Sequence, residues 1–306
     1  MEGERNNSVW LRRLAITTAT VSLLPIGMGA LVTTLGAGMA FSDWPTSAGQ
    51  GMLSYPWHLS AGNKFVEHGH RLAGMVIGLF SVTLCVVAWA SPATKAVRMA
   101  CTVVLAAVIV QGALGGLRVL SDQTVLAFAH SVLGCLVFVG LWLVVLMQLR
   151  AWRELETVER SPAILQTLAF VFPAAALLQY VMGGAVRHFG RALDIHVIGA
   201  AVIILLSGLV AVASRNSRSQ LIRRLAWIAV GTVTIQVAIG AAAWVTKYGL
   251  PEFGLVAVQH SVWQVSARTL HTVVGMVFVA SAFNWSLVVL RTADAGSVTT
   301  PEVALR

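Results

Sequence analysis

The chain has 306 residues, of which 57% are hydrophobic and 11% charged, and its mean hydropathy is +0.80. Soluble domains carry about 25% charged residues, so the composition excludes an ordinary soluble enzyme and indicates a multi-pass membrane protein. The net charge of +9 does not indicate a nucleic-acid partner, because the Lys and Arg residues are scattered without a basic stripe or interleaved aromatics.

Arg12 and Arg13 precede an apolar run from Leu14 to Phe41. That run exceeds the 7–15 residues of a signal h-region, so it is read as a retained first span. At about 20 apolar residues per span, the pattern predicts spans at 14–38, 66–90, 97–117, 125–149, 163–186, 193–213, 222–245 and 268–290. Basic residues mark alternate connections: Arg5, Arg12 and Arg13 before span one, then Lys95 and Arg98, then Arg150, Arg153 and Arg160, then Arg215, Arg218, Arg223 and Arg224. The positive-inside rule places these, and both termini, in the cytoplasm. Cys85, Cys101 and Cys135 all lie in or beside spans, where a free thiol behaves as a small apolar side chain.

The odd spans end in related strings: Gln111-Gly-Ala-Leu-Gly-Gly-Leu-Arg118, Gln179-Tyr-Val-Met-Gly-Gly-Ala-Val-Arg187 and Gln236-Val-Ala-Ile-Gly-Ala-Ala-Ala-Trp244. The first unit is looser, with Gly27-Met-Gly-Ala-Leu-Val-Thr-Thr34 before a long loop. Such glycines let helices approach closely and leave room for a flat ligand. The expected fold is an all-α integral membrane protein of eight transmembrane helices, arranged as two repeated four-helix bundles. The expected halves are residues 1–155 and 156–306.

One histidine opens each even span: His70, His130, His196 and His271. Three have a glycine four residues on (Gly74, Gly134 and Gly275), and His196 has Gly199 three residues on. Ionisable groups in membrane spans are costly and point to function, and imidazole is the commonest metal ligand. Four at one depth read as two pairs of axial ligands to haem, each pair drawn from two spans of one bundle. His58, His188 and His260 lack this context and are read as solvated or interfacial.

Glu67 and His70 are i,i+3 neighbours on one helical face. A carboxylate there orients the ligand, moves protons or caps the start of the helix. His68 points about 160° away from His70 and is not expected to share its pocket. Arg71, Arg118, Arg187, Arg191 and Arg268 lie near the four histidines. They are candidates for the two haem propionates, since Arg suits bidentate carboxylate recognition.

The string Glu67-His-Gly-His70-Arg71 resembles the Glu-x-x-His-Arg motif of the haem A synthase family. The likeness extends to the eight spans, the four histidines, the Gln- and Gly-rich ends of odd spans and Asp43-Trp44-Pro45-Thr46. The resemblance implies oxidation of the C8 methyl group of haem O to a formyl group, giving haem A. It implies a b-type haem as cofactor, ligated by His196 and His271, and substrate haem O at His70 and His130. Glu67 matches the acidic residue linked to catalysis in the family. Many members carry a cysteine pair in an outer loop, and this chain has none there. The implied setting is the bacterial inner membrane, with haem O synthase and terminal oxidase assembly as partners besides the lipid bilayer, an electron donor and no nucleic acid. Two alternatives use the same histidines: a di-haem quinol-linked electron-transfer cytochrome, and a haem exporter or chaperone that needs no Glu67.

Overall fold

The computed structural model describes residues 2–157 and 161–295, so Arg160 lies outside the described residues. Among the described residues, eight stretches are long and apolar enough to cross a membrane, as expected. A helix satisfies its backbone groups internally, which is why apolar runs of this length take that form in lipid. The first span, Val9–Leu35, comprises α1 (Glu2–Val21) and α2 (Leu23–Leu35). Its break at Ser22 follows from Pro25, which has no N–H for the carbonyl of Val21 and crowds it with its ring. The other spans are α3 (Gly62–Ala90), α4 (Lys95–Ser121), α5 (Thr124–Met147), α7 (Ala163–Phe189), α8 (Leu193–Ser214), α9 (Gln220–Tyr248) and α10 (Val262–Ala295); a short α6 (Arg150–Arg153) lies between α5 and α7.

Local signals set several ends. Thr94 and Ser219 cap α4 and α9 by accepting from the amides of Val97 and Ile222. Gly36 and Gly190 end α2 and α7 in the left-handed conformation that glycine adopts without strain. The sequence places the last span too late: α10 starts at Val262 rather than near 268, so Arg268 lies inside the helix. The interruption by polar residues such as Gln264, Ser266 and Arg268 hides its first turns from a hydropathy reading.

Among the described residues three buried apolar clusters hold the bundle together, the smallest being Val32, Ala37 and Val66 between α2 and α3; two are large. One joins α5, α7, α8, α9 and α10 around Phe138, Phe172 and Trp285; the other joins α1, α3, α4 and α5 around Leu11, Leu84 and Leu141. Successive faces of α5 serve both clusters: Phe138 and Leu146 face one, Leu141 and Val145 the other. Contacts between the first four spans and the last four run through α2, α5, α7 and α10. Among the spans, α10 is the most enclosed by protein and α9 the least.

Candidate functional site

Each span histidine rests against a glycine of the preceding span. A Cβ on Gly29, Gly115, Gly183 or Gly240 would lie 2.9, 3.0, 2.9 or 2.8 Å from Cε1 of His70, His130, His196 or His271, respectively. The missing side chain is what lets the Cε1 edge of each imidazole approach the neighbouring helix so closely. The four units therefore share one construction, a glycine seat on an odd span and a histidine on the next.

A second contact, to the backbone, holds three of the four histidines. Gln111, Gln179 and Gln236, one turn before the seats, donate through Nε2 to the backbone carbonyls of His130, His196 and His271 at 2.9, 2.7 and 2.9 Å. These amides account for most of the glycines that follow the histidines. A Cβ on Gly134 or Gly275 would lie 3.0 Å from the Gln111 or Gln236 amide nitrogen, and Gly199 faces Gln179. They make room for glutamine, not directly for a flat ligand. In the first unit Pro25 stands where the glutamine would be, and Gly74 correspondingly meets nothing within 4 Å. The Pro25 carbonyl instead accepts from His70 Nδ1 at 3.0 Å, and the Gln236 carbonyl accepts from His271 Nδ1 at 3.2 Å. A ligating imidazole is usually held in this way, its second nitrogen donating to a carbonyl. At His130 the Nδ1 atom is buried with no partner.

The four rings form two matched pairs. His70 and His130 have centroids 6.1 Å apart with planes at 86°, and His196 and His271 have centroids 6.1 Å apart with planes at 89°. Two imidazoles this close could hold one metal ion between them, with metal–nitrogen bonds of ~2.0–2.1 Å. Among the described residues no group of three or more His, Cys, Asp or Glu side chains is placed to hold a metal ion. A cavity of about 750 Å³ adjoins the second pair, lined by Gln179, His196, Gln236, Trp244, Arg268 and His271 among others. That size lies within the ~300–1,000 Å³ of cofactor pockets.

The five arginines divide. Arg187 and Arg268 line the cavity. Arg187 also bonds Ala30, Thr34 and Thr272. Arg118 donates to the Gly38 carbonyl at 2.6 Å, and Arg191 is exposed in the turn between α7 and α8. Arg71 is occupied: it pairs with Glu67 at 2.6 Å and donates to the carbonyls of Asp43 and Thr46 at 2.9 and 2.7 Å.

Glu67 is 2% exposed. Besides Arg71, its carboxylate accepts from the amides of Ala40 at 2.6 Å and Phe41 at 3.3 Å. It sits in the second turn of α3, which starts at Gly62, so it caps the loop 36–61 and not its own helix. No hydrogen bond joins it to His70 among the described residues, despite their shared face. His68 serves the same loop, with Nδ1 2.9 Å from Ser47 Oγ and Nε2 3.1 Å from the Met52 carbonyl. Asp43 organises the tip by accepting from Thr46, Ala48 and Gly49, and its carboxyl is lowered to about 2, chiefly by the Thr46 hydroxyl and then the Gly49 amide. Trp44 lies on Gly116, where a Cβ would collide with its ring.

His58 and His260 are exposed, as expected. His188 is not: it is half-buried in the last turn of α7, with Nε2 3.0 Å from Ser131 Oγ. Arg187 and His188 are polar and so mark a span end at 186 by hydropathy, but both lie within α7, partly enclosed by neighbouring helices.

The chain is similar to a family described as cytochrome oxidase assembly protein (COX15-CtaA), whose model matches residues 58–197. The matched stretch includes Glu67, His70, His130 and His196 and bears out the resemblance drawn from the sequence motifs. A search of curated proteins found no match.

Proposed function

We propose that this member of the cytochrome oxidase assembly family is a haem A synthase, which oxidises the C8 methyl group of haem O to a formyl group. The observation that carries the reading is the pair of matched imidazole pairs, each with centroids 6.1 Å apart. Zinc in a structural site takes four protein ligands. Two imidazoles per site suit a metal whose other four ligands come from a macrocycle, and the orphaned Nδ1 of His130 is consistent with a missing partner.

In this reading His196 and His271 hold a b-type haem, and His70 and His130 hold haem O as substrate. The cavity beside the second pair supports its role as the cofactor site, with Arg268 available for a propionate. Bound haem supplies the redox chemistry that side chains lack. The chain's own residues orient and enclose: the three glutamines and Pro25 hold the histidines, and the glycine seats allow their approach. Glu67 and Arg71 fasten the loop 36–61 beside His70, which makes Glu67 a positioning residue for the substrate half. The bacterial inner membrane is the proposed setting, with both termini in the cytoplasm, haem O synthase as supplier and terminal oxidase assembly as consumer of the product.

The equal spacing of the two pairs favours one second reading, a di-haem quinol-linked electron-transfer cytochrome with two permanent sites. Expression in a host that makes haem O but no haem A separates the two. Chromatography of the extracted haems should show haem A with the intact chain and none with His70→Ala. Recovery of haem O and haem b alone from well-expressed chain would leave the cytochrome.

A further inference from the structure

We propose that the end of α7, at Arg187 and His188, couples the two histidine pairs, so that filling one pair changes the affinity of the other. The proposal rests on the reading of both pairs as haem ligands.

Adjacent residues on a helix point about 100° apart, and these two reach different neighbours. The Arg187 guanidinium donates to Thr272 Oγ1 on α10 and, on α2, to the Ala30 carbonyl and, at 3.0 Å, to Thr34 Oγ1. Thr272 follows His271, and Ala30 follows Gly29, the seat of His70. One guanidinium thus touches the neighbour of a ligand in one pair and the neighbour of a ligand's seat in the other. His188 lies 3.0 Å from the hydroxyl of Ser131, which follows His130, and its ring meets Phe128 at 6.1 Å. The Ser131 carbonyl accepts from Tyr180 on α7 at 3.3 Å, and Tyr180 follows Gln179, whose amide holds His196. Through these contacts α7 reaches the chain neighbours of all four ligands or their supports.

Simple adhesion between helices does not require this chemistry. Among the described residues no carboxylate pairs with Arg187, and a polar cluster of this kind is expensive within a membrane span. Apolar side chains would hold α7 to α2, α5 and α10 at less cost. The hydroxyl partners are also selective. Ser131 and Thr272 follow the histidines of spans four and eight, which meet at the junction between the halves, whereas Arg71 and Val197 follow those of spans two and six. A closure of either pair on its ligand that moves Ser131 or Thr272 pulls on the same helical turn, which is a two-site linkage with a physical carrier.

Titration of the purified full chain in detergent with ferric protoporphyrin IX, followed by absorbance, tests the proposal. The intact chain gives two stepwise association constants, and the His130→Ala and His271→Ala chains give one each. The product of the first two divided by the product of the second two is the coupling factor. It should differ from unity by about 5–150-fold, the usual range of linkage between sites. It should collapse to unity in His188→Ala and in Ser131→Ala, and survive in His188→Gln, which keeps a donor toward Ser131. A purely structural role would lower both single-site constants and leave the factor unchanged. A factor of unity in the intact chain, or one unaltered in both His188→Ala and Ser131→Ala, overturns the coupling alone. A well-folded chain that binds ferric protoporphyrin IX at neither pair overturns the haem reading and the coupling with it.

Discussion

His271 and His260 lie eleven positions apart, yet only one has a seat and a strut. His271 rests on Gly240 and is held by Gln236, whereas His260 is exposed in the loop before α10. If the second pair ligates a b-type haem, His271→Ala or His196→Ala should abolish its low-spin spectrum, because loss of a strong axial ligand changes the iron spin state; His260→Ala should leave the spectrum intact. Glu67 calls for a different measurement. It is one partner of a buried ion pair, and removing such a partner costs about 3–5 kcal/mol. Glu67→Gln should loosen the loop it holds, seen as faster proteolysis within residues 36–61, and lower haem A formation while sparing the spectrum of the second pair. Unchanged loop protection with lost conversion would instead assign the carboxylate directly to proton transfer.

Helix pairs are set by where side chains are missing. Gly240→Ala would bring a Cβ to 2.8 Å from His271 Cε1, and the ring cannot yield freely because Nδ1 is tied to the Gln236 carbonyl. Such overpacking costs about 1–3 kcal/mol, so the variant should lose or shift the second pair's haem spectrum. Gly74→Ala is the matched control, since nothing lies within 4 Å of its Cβ position, and it should leave both stability and spectrum unchanged. The outer loop has its own pH dependence. The folded carboxyl of Asp43 lies at about 2, below its ordinary value of 3.8. Its contribution to the turn is complete above that ordinary value and is lost as pH falls through the folded one. Pepsin digestion on descending through this window should reveal growing cleavage near residues 43–49, and Asp43→Asn should remove the pH dependence. A flat cleavage profile in the intact chain would deny Asp43 this role.

Across the whole molecule, the four histidines lie toward the same ends of their spans, and the connections at the opposite ends carry Lys95, Arg98, Arg150, Arg153, Arg215, Arg218, Arg223 and Arg224. If these mark the cytoplasm, reporter fusions after residues 50, 120, 190 and 250 should all report the outer compartment. Inside signals at two or more of these points would refute the orientation. The contacts between the first four spans and the last four run through α2, α5, α7 and α10, and the proposed coupling of the histidine pairs uses this region.

Hydropathy and period alone determined the eight spans, because in lipid an apolar run of about 20 residues has no other way to satisfy its backbone. The repeat likewise exposed the four histidines and the recurring Gln and Gly positions, since each unit spells out its own contacts between neighbouring spans. The sequence could not reveal what those glycines face, because a vacancy has meaning only against the side chain that fills it: Gly134 serves Gln111, Gly240 serves His271 and Gly74 serves neither. Nor could it show that Glu67 holds Arg71 and the amides of Ala40 and Phe41. Arg187 and His188 read as the polar end of a span, and their partners Ala30, Thr272 and Ser131 lie far away along the chain. Contacts of that separation depend on how the two halves dock, and docking is settled by the packing of whole helix faces, which no local pattern encodes.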